Sequence, residues 1–295
     1  MVNIKSYIYL VFAGALAGLI GVFVKLIGSN IHFMSIMFYR MFFGLLALFL
    51  IIPFLDKKWY KVAGEDLRHY LVVAVLMTAT FSLFVVANVF APVQNVVLIT
   101  NIAPFLVLIL AYFFLKEKIT KVKIITLIIA IVGIIILNPF NFGENMLGNY
   151  LAMGQAVLYA FLIVLMRKEN KEHTIGAVLW FFIFSTIILL PFVFIFGFGD
   201  LTEVWPYVLG IGIFSTGLTY LFHNLGLQKV GAEIGSIIVM IIMPLTGIIV
   251  AMIVLGEKLN LRILVGGIIL MVAGTYLQVH ENKLRGAIKR FFAGW

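Results

Sequence analysis

Cysteine is absent from the 295 residues, which excludes disulfide bonds, thiolate metal sites and cysteine-based catalysis. Charged residues are also scarce: they make up 11% of the chain, whereas a soluble domain carries about 25%. Hydrophobic residues make up 64%, which is more apolar surface than a soluble fold of this length can bury. The composition therefore predicts an integral membrane protein whose apolar surface is covered by lipid.

The sequence also lacks the motifs of several enzyme and pump classes. It contains no glycine-rich nucleotide-binding loop, no His-Glu-x-x-His zinc motif and no Gly-x-Ser-x-Gly nucleophile motif. ATP-driven pumping and those hydrolytic reactions are therefore unsupported. We expect no cofactor, no metal ion and no enzymatic activity.

Ten apolar runs, most of them about 20 residues long, are separated by polar residues. The runs do not alternate polar and apolar residues as the strands of a membrane barrel do, so the predicted fold class is all-α. The predicted spans are residues 6–27, 33–55, 70–89, 92–115, 121–138, 148–166, 174–198, 205–227, 231–255 and 261–279.

The net charge of +9 comes from short loops, which argues against a nucleic-acid-binding surface. One alternating set of segments comprises both termini and the 2–3, 4–5, 6–7 and 8–9 loops, and it carries 17 of the 21 Lys and Arg residues. The other set carries three, and Arg40 inside the second span completes the total. Because Lys and Arg concentrate in cytoplasmic loops, both termini are predicted to be cytoplasmic.

The sequence repeats itself at a constant offset of 140 residues. Between positions 102 and 118, seven of seventeen residues are identical to those 140 positions later, including a proline and a Glu-Lys pair. The predicted units are residues 1–140, residues 141–280 and a basic cytoplasmic tail over 281–295. Five spans per unit is an odd number, so the second copy enters the membrane from the opposite side, as in many secondary transporters.

The repeated prolines and glutamates have different expected roles. Pro104 and Pro244 each remove a backbone hydrogen bond within a span, and paired interruptions in two repeats point to a binding cavity. The alternative is a packing kink. Glu117 and Glu257 lie at helix ends beside lysines, which favours a structural role.

The two copies share small residues at the start of the fourth or ninth span, a proline near its middle and a Glu-Lys pair at its end. These residues are Ala91–Pro92, Pro104 and Leu115–Lys118 in the first copy, and Gly231–Ala232, Pro244 and Leu255–Lys258 in the second. Arg40, early in the second span, adds to the pattern. With these features each half resembles an EamA domain of the drug/metabolite transporter superfamily, and the resemblance covers nearly the whole chain.

The resemblance implies a ten-helix carrier of the kind that often exports amino acids or other small metabolites. Two positions depart from the pattern. Lys116 stands where the second copy has the more usual Gly256, and Trp180 occupies the position that matches Arg40. The motifs do not identify a substrate.

Polar residues inside the spans are candidates for substrate contact, because they are rare and costly in lipid. Gln155 and Tyr159 lie four residues apart on one helix face, where an amide and a phenol could hydrogen-bond a zwitterion. For each candidate the alternative is a hydrogen bond between helices that only stabilises the fold. The candidate substrate-binding residues are Arg40, Asn95, Thr100, Asn101, Gln155, Tyr159, Trp180, Ser215, Tyr220, His223 and Asn224.

Three ionisable side chains have competing interpretations. Arg40 either holds a substrate carboxylate or anchors the second span near one membrane face. His223 either relays a proton, binds substrate or reaches the headgroups. Glu233, with His223, is a candidate for proton coupling, and its alternative is a contact with the membrane interface. The first span has no Asp or Glu, which disfavours exchange of protons for organic cations.

We predict a secondary transporter that exports a small polar metabolite, such as an amino acid, by alternating access around a midplane cavity. The alternatives are a nucleotide-sugar, nucleoside or cofactor carrier of the same superfamily and, less favoured, a membrane enzyme. The expected partners are a small-molecule substrate and the lipid bilayer, with no nucleic acid. The expected location is the cell membrane, as a monomer or homodimer.

Overall fold

The computed structural model describes residues 4–55, 57, 61–117, 120–137, 145–169, 175–228, 230 and 232–293. In that part of the chain the helices form ten segments, which confirms the all-α fold. Eight segments have the length and hydropathy of a membrane span, and a shorter apolar helix covers Leu261–Leu277. The α-helices are α1 (Ile4–Gly18), α2 (Ile20–Ile27), α3 (Phe33–Leu55), α4 (Lys61–Phe90), α5 (Val93–Thr100), α6 (Ala103–Leu115), α7 (Lys121–Leu137), α8 (Met146–Glu169), α9 (Ile175–Phe196), α10 (Trp205–Leu209), α11 (Thr219–Leu227), α12 (Ala232–Leu255) and α13 (Leu261–Ala293).

Three of the ten segments consist of more than one helix. The first span is α1 followed by α2, and the fourth is α5 followed by α6. The eighth is α10, a π-helical segment over Gly210–Leu218, and α11. Each remaining span is one α-helix. A π-helical segment within a span is unusual, because π-helical turns are rare. Where they occur, they are frequently found at functional sites.

The ends of α6 and α12 have the same local structure at an offset of 140 residues. Lys116 and Gly256, just past these helices, have φ angles of 55° and 68°. The next residue, Glu117 or Glu257, donates its N–H to the carbonyl oxygen of Ala111 or Ala251, at 3.3 Å in each case. Lys116 therefore adopts the left-handed conformation that glycine adopts most readily, and the local structure is the same in both copies although the residue differs.

The two repeats run in opposite directions. The second and seventh spans occupy equivalent places in their repeats and pack against each other as α3 and α9. Ser35 near the start of α3 bonds to Gly197 just past the end of α9, whereas Gly44 further along α3 contacts Phe182 near the start of α9. Equivalent spans are thus antiparallel, as five spans per repeat require.

The packing of the spans is conserved when the two repeats are exchanged. The second, fourth and fifth spans each pack against their own counterparts, the seventh, ninth and tenth. The contact between the third and sixth spans is matched by that between the eighth and first. The second span packs on the eighth as the seventh packs on the third. The fold therefore has an approximate two-fold axis that relates its halves.

The two prolines of the repeat have different consequences. The fourth span is interrupted at Asn101–Ile102, and Pro104 stands in the first turn of α6, where its missing N–H is not needed. The expected interruption is present beside Pro104, and its role at a cavity stays a prediction. The expected break at Pro244 was wrong, because α12 continues through it from Ala232 to Leu255. Neighbouring helices allow a proline within a membrane helix by covering the freed carbonyl group.

The first and ninth spans approach each other closely beside Pro244. A methyl group on Gly18 would lie 2.5 Å from the carbonyl oxygen of Met243 and 2.8 Å from the nitrogen of Gly247. Both atoms belong to the backbone, so they cannot rotate away. By contrast, a methyl group on Gly154 in the sixth span would meet its nearest heavy atom at 3.8 Å.

Thiol labelling will test the inverted arrangement in the membrane. Lys116 and Lys258 are exposed beyond α6 and α12, and Lys→Cys at either position would introduce the sole thiol of the chain. We expect a membrane-impermeant maleimide to label the K116C variant from the cytoplasmic side and the K258C variant from the outer side. Labelling of both from one side would contradict the inversion.

Candidate substrate site

Arg40 lies in α3 with 3% of its surface exposed. Its Nε donates to Oγ1 of Thr216 at 2.9 Å, and its guanidinium carbon lies 4.9 Å from the ring centroid of Phe81. Nη1 is buried and has no hydrogen-bond partner in the described part of the chain, where no carboxylate pairs with Arg40. The site therefore presents a buried cation, partly stabilised by the face of an aromatic ring.

Thr216 reaches Arg40 from the π-helical segment of the eighth span. Its hydroxyl donates to the carbonyl oxygen of Ile211 at 2.7 Å while it accepts the hydrogen bond from Arg40. Gly212 allows this approach, because a methyl group on it would lie 2.4 Å from Cβ of Phe43 in the second span. The eighth span thus packs its backbone directly against the second, and Thr216 faces the guanidinium group.

Phe81, the ring beside the guanidinium group, belongs to a cluster of aromatic side chains. The ring of Tyr220 lies 5.4 Å from that of Phe182 and 6.2 Å from those of Phe81 and Phe181, centroid to centroid. Tyr220 lies near Arg40. The third, seventh and eighth spans therefore supply an aromatic wall beside the cation.

Tyr159 in the sixth span belongs to the same region, since its hydroxyl interacts electrostatically with that of Tyr220. Tyr159 is 38% exposed. Gln155, one turn earlier on α8, is 7% exposed, and its Oε1 has no partner among the described residues. Gln155 therefore leaves an amide oxygen unpaired one helical turn from Tyr159.

Trp180 is the counterpart of Arg40 in the second repeat. It is partly buried and packs against Phe184, with ring centroids 5.6 Å apart. The counterpart of Thr216 in the first repeat is Leu76. The second and eighth spans pack in the same way as the seventh and third. A cation and its hydroxyl partner, however, are present only at the contact between the second and eighth spans.

The remaining polar candidates of the eighth span differ in availability. Ser215 is 1% exposed, and its hydroxyl has no partner in the described ranges. His223 and Asn224 lie further along α11 and are partly buried. Asn224 donates to the carbonyl oxygen of Tyr220 at 2.9 Å, so its amide is engaged within its own helix.

The candidates of the fourth span form a separate group. Asn95 donates to Oδ1 of Asn149 in the sixth span at 3.3 Å, which is a contact between the repeats. Thr100 donates to the carbonyl oxygen of Val97 within its helix. Asn101 lies at the interruption, where its Nδ2 is buried and has no partner among the described residues. Glu233 is in the first turn of α12, and its side chain lies outside the described residues.

Sequence reasoning missed Thr216 and Phe81 as parts of the site. A threonine or phenylalanine in an apolar span carries little signal by itself. The spacing of Gly210, Gly212 and Gly217 was the available sign, because small residues mark close helix packing in membranes. It would have placed the middle of the eighth span against another helix.

Matches to known proteins cover between 63% and almost all of the chain. The model of the EamA-like transporter family matches residues 4–138 and again residues 146–279. An uncharacterized transporter of Archaeoglobus fulgidus is 25% identical over 92% of this chain and 95% of its own length. An uncharacterized transporter of Bacillus subtilis, YetK, is 28% identical over 63% of this chain and 59% of its own length.

Relatives from Rickettsia have a named substrate. An S-adenosylmethionine uptake transporter of Rickettsia bellii is 28% identical over 57% of this chain and 57% of its own length. A solved crystal structure superposes with a TM-score of 0.62 over 95% of this chain and 98% of its own, at 12% sequence identity. That likeness concerns the fold alone.

Proposed function

The chain belongs to the EamA-like transporter family and is a multi-pass membrane transporter, and on this basis we propose that Arg40 binds the carboxylate of a small metabolite, with amino acids as the first class to test. The observation that carries the proposal is a buried guanidinium group without a carboxylate partner among the described residues. An unpaired charge inside a membrane protein is costly, and it is typically kept for function. A substrate carboxylate would supply the missing partner.

The surroundings of Arg40 suit a solute with a charged end and an uncharged body. Phe81 offers an apolar face next to the cation, and the rings of Tyr220, Phe181 and Phe182 pack in the same cluster. Gln155 and Tyr159 offer an amide oxygen and a phenol beyond them. Both kinds of contact are found in small-molecule sites, which are mostly apolar with a few polar groups that fix orientation.

We expect transport by alternating access. The two repeats have nearly the same packing in opposite directions, so a movement that opens the site to one face has a counterpart that opens it to the other. Export is the direction proposed, as in the sequence-based hypothesis. Proton coupling would need a titratable group that changes partners, for which His223 and Glu233 remain the candidates.

Uptake into proteoliposomes tests the proposal. The panel holds leucine, threonine, phenylalanine, glutamine and glutamate, with adenosine and a quaternary ammonium compound for comparison, each with and without a pH gradient. We expect saturable flux of at least one amino acid and none of the quaternary cation, because Arg40 repels cations. Saturable flux of the cation, with no flux of any carboxylate, would overturn the proposal.

A second candidate is a larger solute that combines a carboxylate with an aromatic base. The relative from Rickettsia bellii is named for S-adenosylmethionine uptake, and the aromatic rings around Arg40 could stack on an adenine. Addition of S-adenosylmethionine to the same assay separates the candidates. Strong competition by S-adenosylmethionine, without competition by adenosine or amino acids, would favour the larger solute.

A further inference from the structure

Arg40 has only one edge available for a ligand. Its Nε is occupied by Thr216 at 2.9 Å, and Phe81 covers one face of the guanidinium plane. Nη1 has no partner within the described ranges. A guanidinium group can bind a carboxylate through two parallel N–H donors, and here the terminal edge with Nη1 is the one left.

Thr216 is itself held in place. Its hydroxyl proton is used on the carbonyl oxygen of Ile211 at 2.7 Å, so its oxygen must act as the acceptor towards Arg40. The π-helical turn presents this carbonyl, and both partners are buried. The hydroxyl therefore has a defined direction and cannot itself donate to a substrate.

We propose that Thr216 is a positioning residue that orients the terminal edge of Arg40 towards the carboxylate of the substrate. This inference rests on the proposed function, because Thr216 acts through Arg40. It gives the eighth span a role in substrate recognition although this span does not contact the substrate through Thr216. The π-helical segment places the hydroxyl oxygen of Thr216 where it accepts the hydrogen bond from Arg40.

The test is a comparison of Thr216→Val with Thr216→Ser in proteoliposomes. The probe is the panel amino acid with the highest saturable uptake. Valine keeps the shape of threonine but lacks the hydroxyl, so we expect KM to rise about tenfold while Vmax changes less than about twofold. Serine keeps the hydroxyl and should restore the original KM. A merely structural role would lower the melting temperature of the T216V variant and leave KM unchanged.

A double-mutant cycle with Arg40→Lys separates positioning from other effects. Lysine has no planar guanidinium group for Thr216 to orient. T216V should therefore change KM little when Arg40 has already been replaced by lysine. An equal rise of KM in both backgrounds would overturn the inference. If R40Q leaves KM unchanged, the proposed function fails. If R40Q raises KM and T216V does not, only the role of Thr216 fails.

A separate set of contacts joins the two repeats at one face. Ser35 donates to the carbonyl oxygen of Gly197 at 2.6 Å, and Tyr39 donates to that of Phe198 at 3.0 Å. His32 stacks on Phe196 with ring centroids 4.1 Å apart. The start of the second span is thus fixed to the end of the seventh.

The same face has a second connection. The carboxylate of Glu257 accepts hydrogen bonds from the backbone N–H groups of Val93 and Gln94, at 2.8 Å and 3.3 Å. Gln94 also donates from its Nε2 to the carbonyl oxygen of Lys258 at 3.0 Å. A carboxylate at a helix N-terminus satisfies free N–H groups and complements the helix dipole. The ninth span thus holds the first turn of the fourth.

From these contacts we infer that Ser35, Tyr39 and Glu257 form a gate that closes the face predicted to be outside. All three bond across the boundary between the repeats, and alternating access requires that boundary to separate there. Opening must break these bonds, so their loss would favour the state open to that face.

A single-cysteine reporter tests the gate. S215C places the sole thiol of the chain beside Thr216, and a charged methanethiosulfonate is added from outside. Y39F removes one hydrogen bond of the gate, and E257Q removes the charge and one of the two acceptor oxygens of the second connection, so the labelling rate should rise about fivefold or more. The control is the double variant Y207F with E203Q. Both of these residues are at the start of the eighth span, at the face predicted to be outside. A rate equal to that of the control would overturn the gate.

A crosslink provides the opposite measurement. Cysteines at positions 35 and 198 would lie on the two sides of the gate, since Ser35 bonds to the residue before Phe198. A short bifunctional methanethiosulfonate should stop transport in this variant, and reduction should restore it. Transport that continues through the crosslink would show that this face need not open.

Discussion

Replacement of Arg40 by glutamine is expected to raise the KM for a carboxylate substrate roughly 30- to 1,000-fold. Loss of a buried, hydrogen-bonded charge from such a pair costs about 2–4 kcal/mol of binding free energy. Glutamine retains a polar side chain for Thr216 but has no charge and no second parallel donor. Initial rates of uptake over a range of substrate concentrations give the measurement.

Comparison with two further variants shows which property of Arg40 matters. Arg40→Lys keeps the charge but loses the planar pair of donors, so we expect an intermediate loss. Arg262→Gln removes a cation from an exposed position in the first turn of α13 and should leave KM unchanged. A folded R40Q protein with the original KM would show that Arg40 serves only as an anchor of the second span.

Replacement of Gly18 by alanine is expected to destabilise the packing of the first span against the ninth. The added carbon would lie 2.5 Å from the carbonyl oxygen of Met243 and 2.8 Å from the nitrogen of Gly247. Because backbone atoms cannot move aside alone, the first and ninth spans must separate. Overpacking of this kind costs about 1–3 kcal/mol or more. The midpoint of thermal unfolding in detergent should fall by several degrees.

Gly154→Ala is the matched control for this experiment. The new methyl group would meet its nearest neighbour at 3.8 Å, which is ordinary contact. Alanine also favours a helix over glycine by about 1 kcal/mol, so stability should stay the same or rise. Equal destabilisation of both variants would show that close packing at Gly18 is not the cause of the lower midpoint of thermal unfolding.

The spans and their repetition could be predicted from the sequence because both depend on local properties. Hydropathy identifies a span without knowledge of its neighbours, and the paired Pro and Glu-Lys residues fix the offset of 140. The outcome at Pro244 could not be predicted in this way. Pro104 stands at the interruption between α5 and α6, whereas α12 continues through Pro244, so the same residue has different consequences in the two repeats.

The site was predictable only in part. Arg40 stands out because a charge within an apolar span is rare. Its partner Thr216 is 176 residues away, and only the packing of the second span on the eighth brings them together. Asn224 looked as available as Tyr220 in the sequence, yet its amide is used within its own helix. Which polar side chains remain unpaired is a property of the packed helices.

The unequal chemistry at positions 40 and 180 has a kinetic consequence. Two identical inverted halves would make the inward-facing and outward-facing states equivalent by symmetry, with one half-saturation constant for both sides of the membrane. Arg40 and Trp180 remove that equivalence while the backbone retains it. The carrier can therefore have different affinities at its two faces. At equal solute concentrations, a passive cycle must then balance the difference with unequal maximal rates in the two directions.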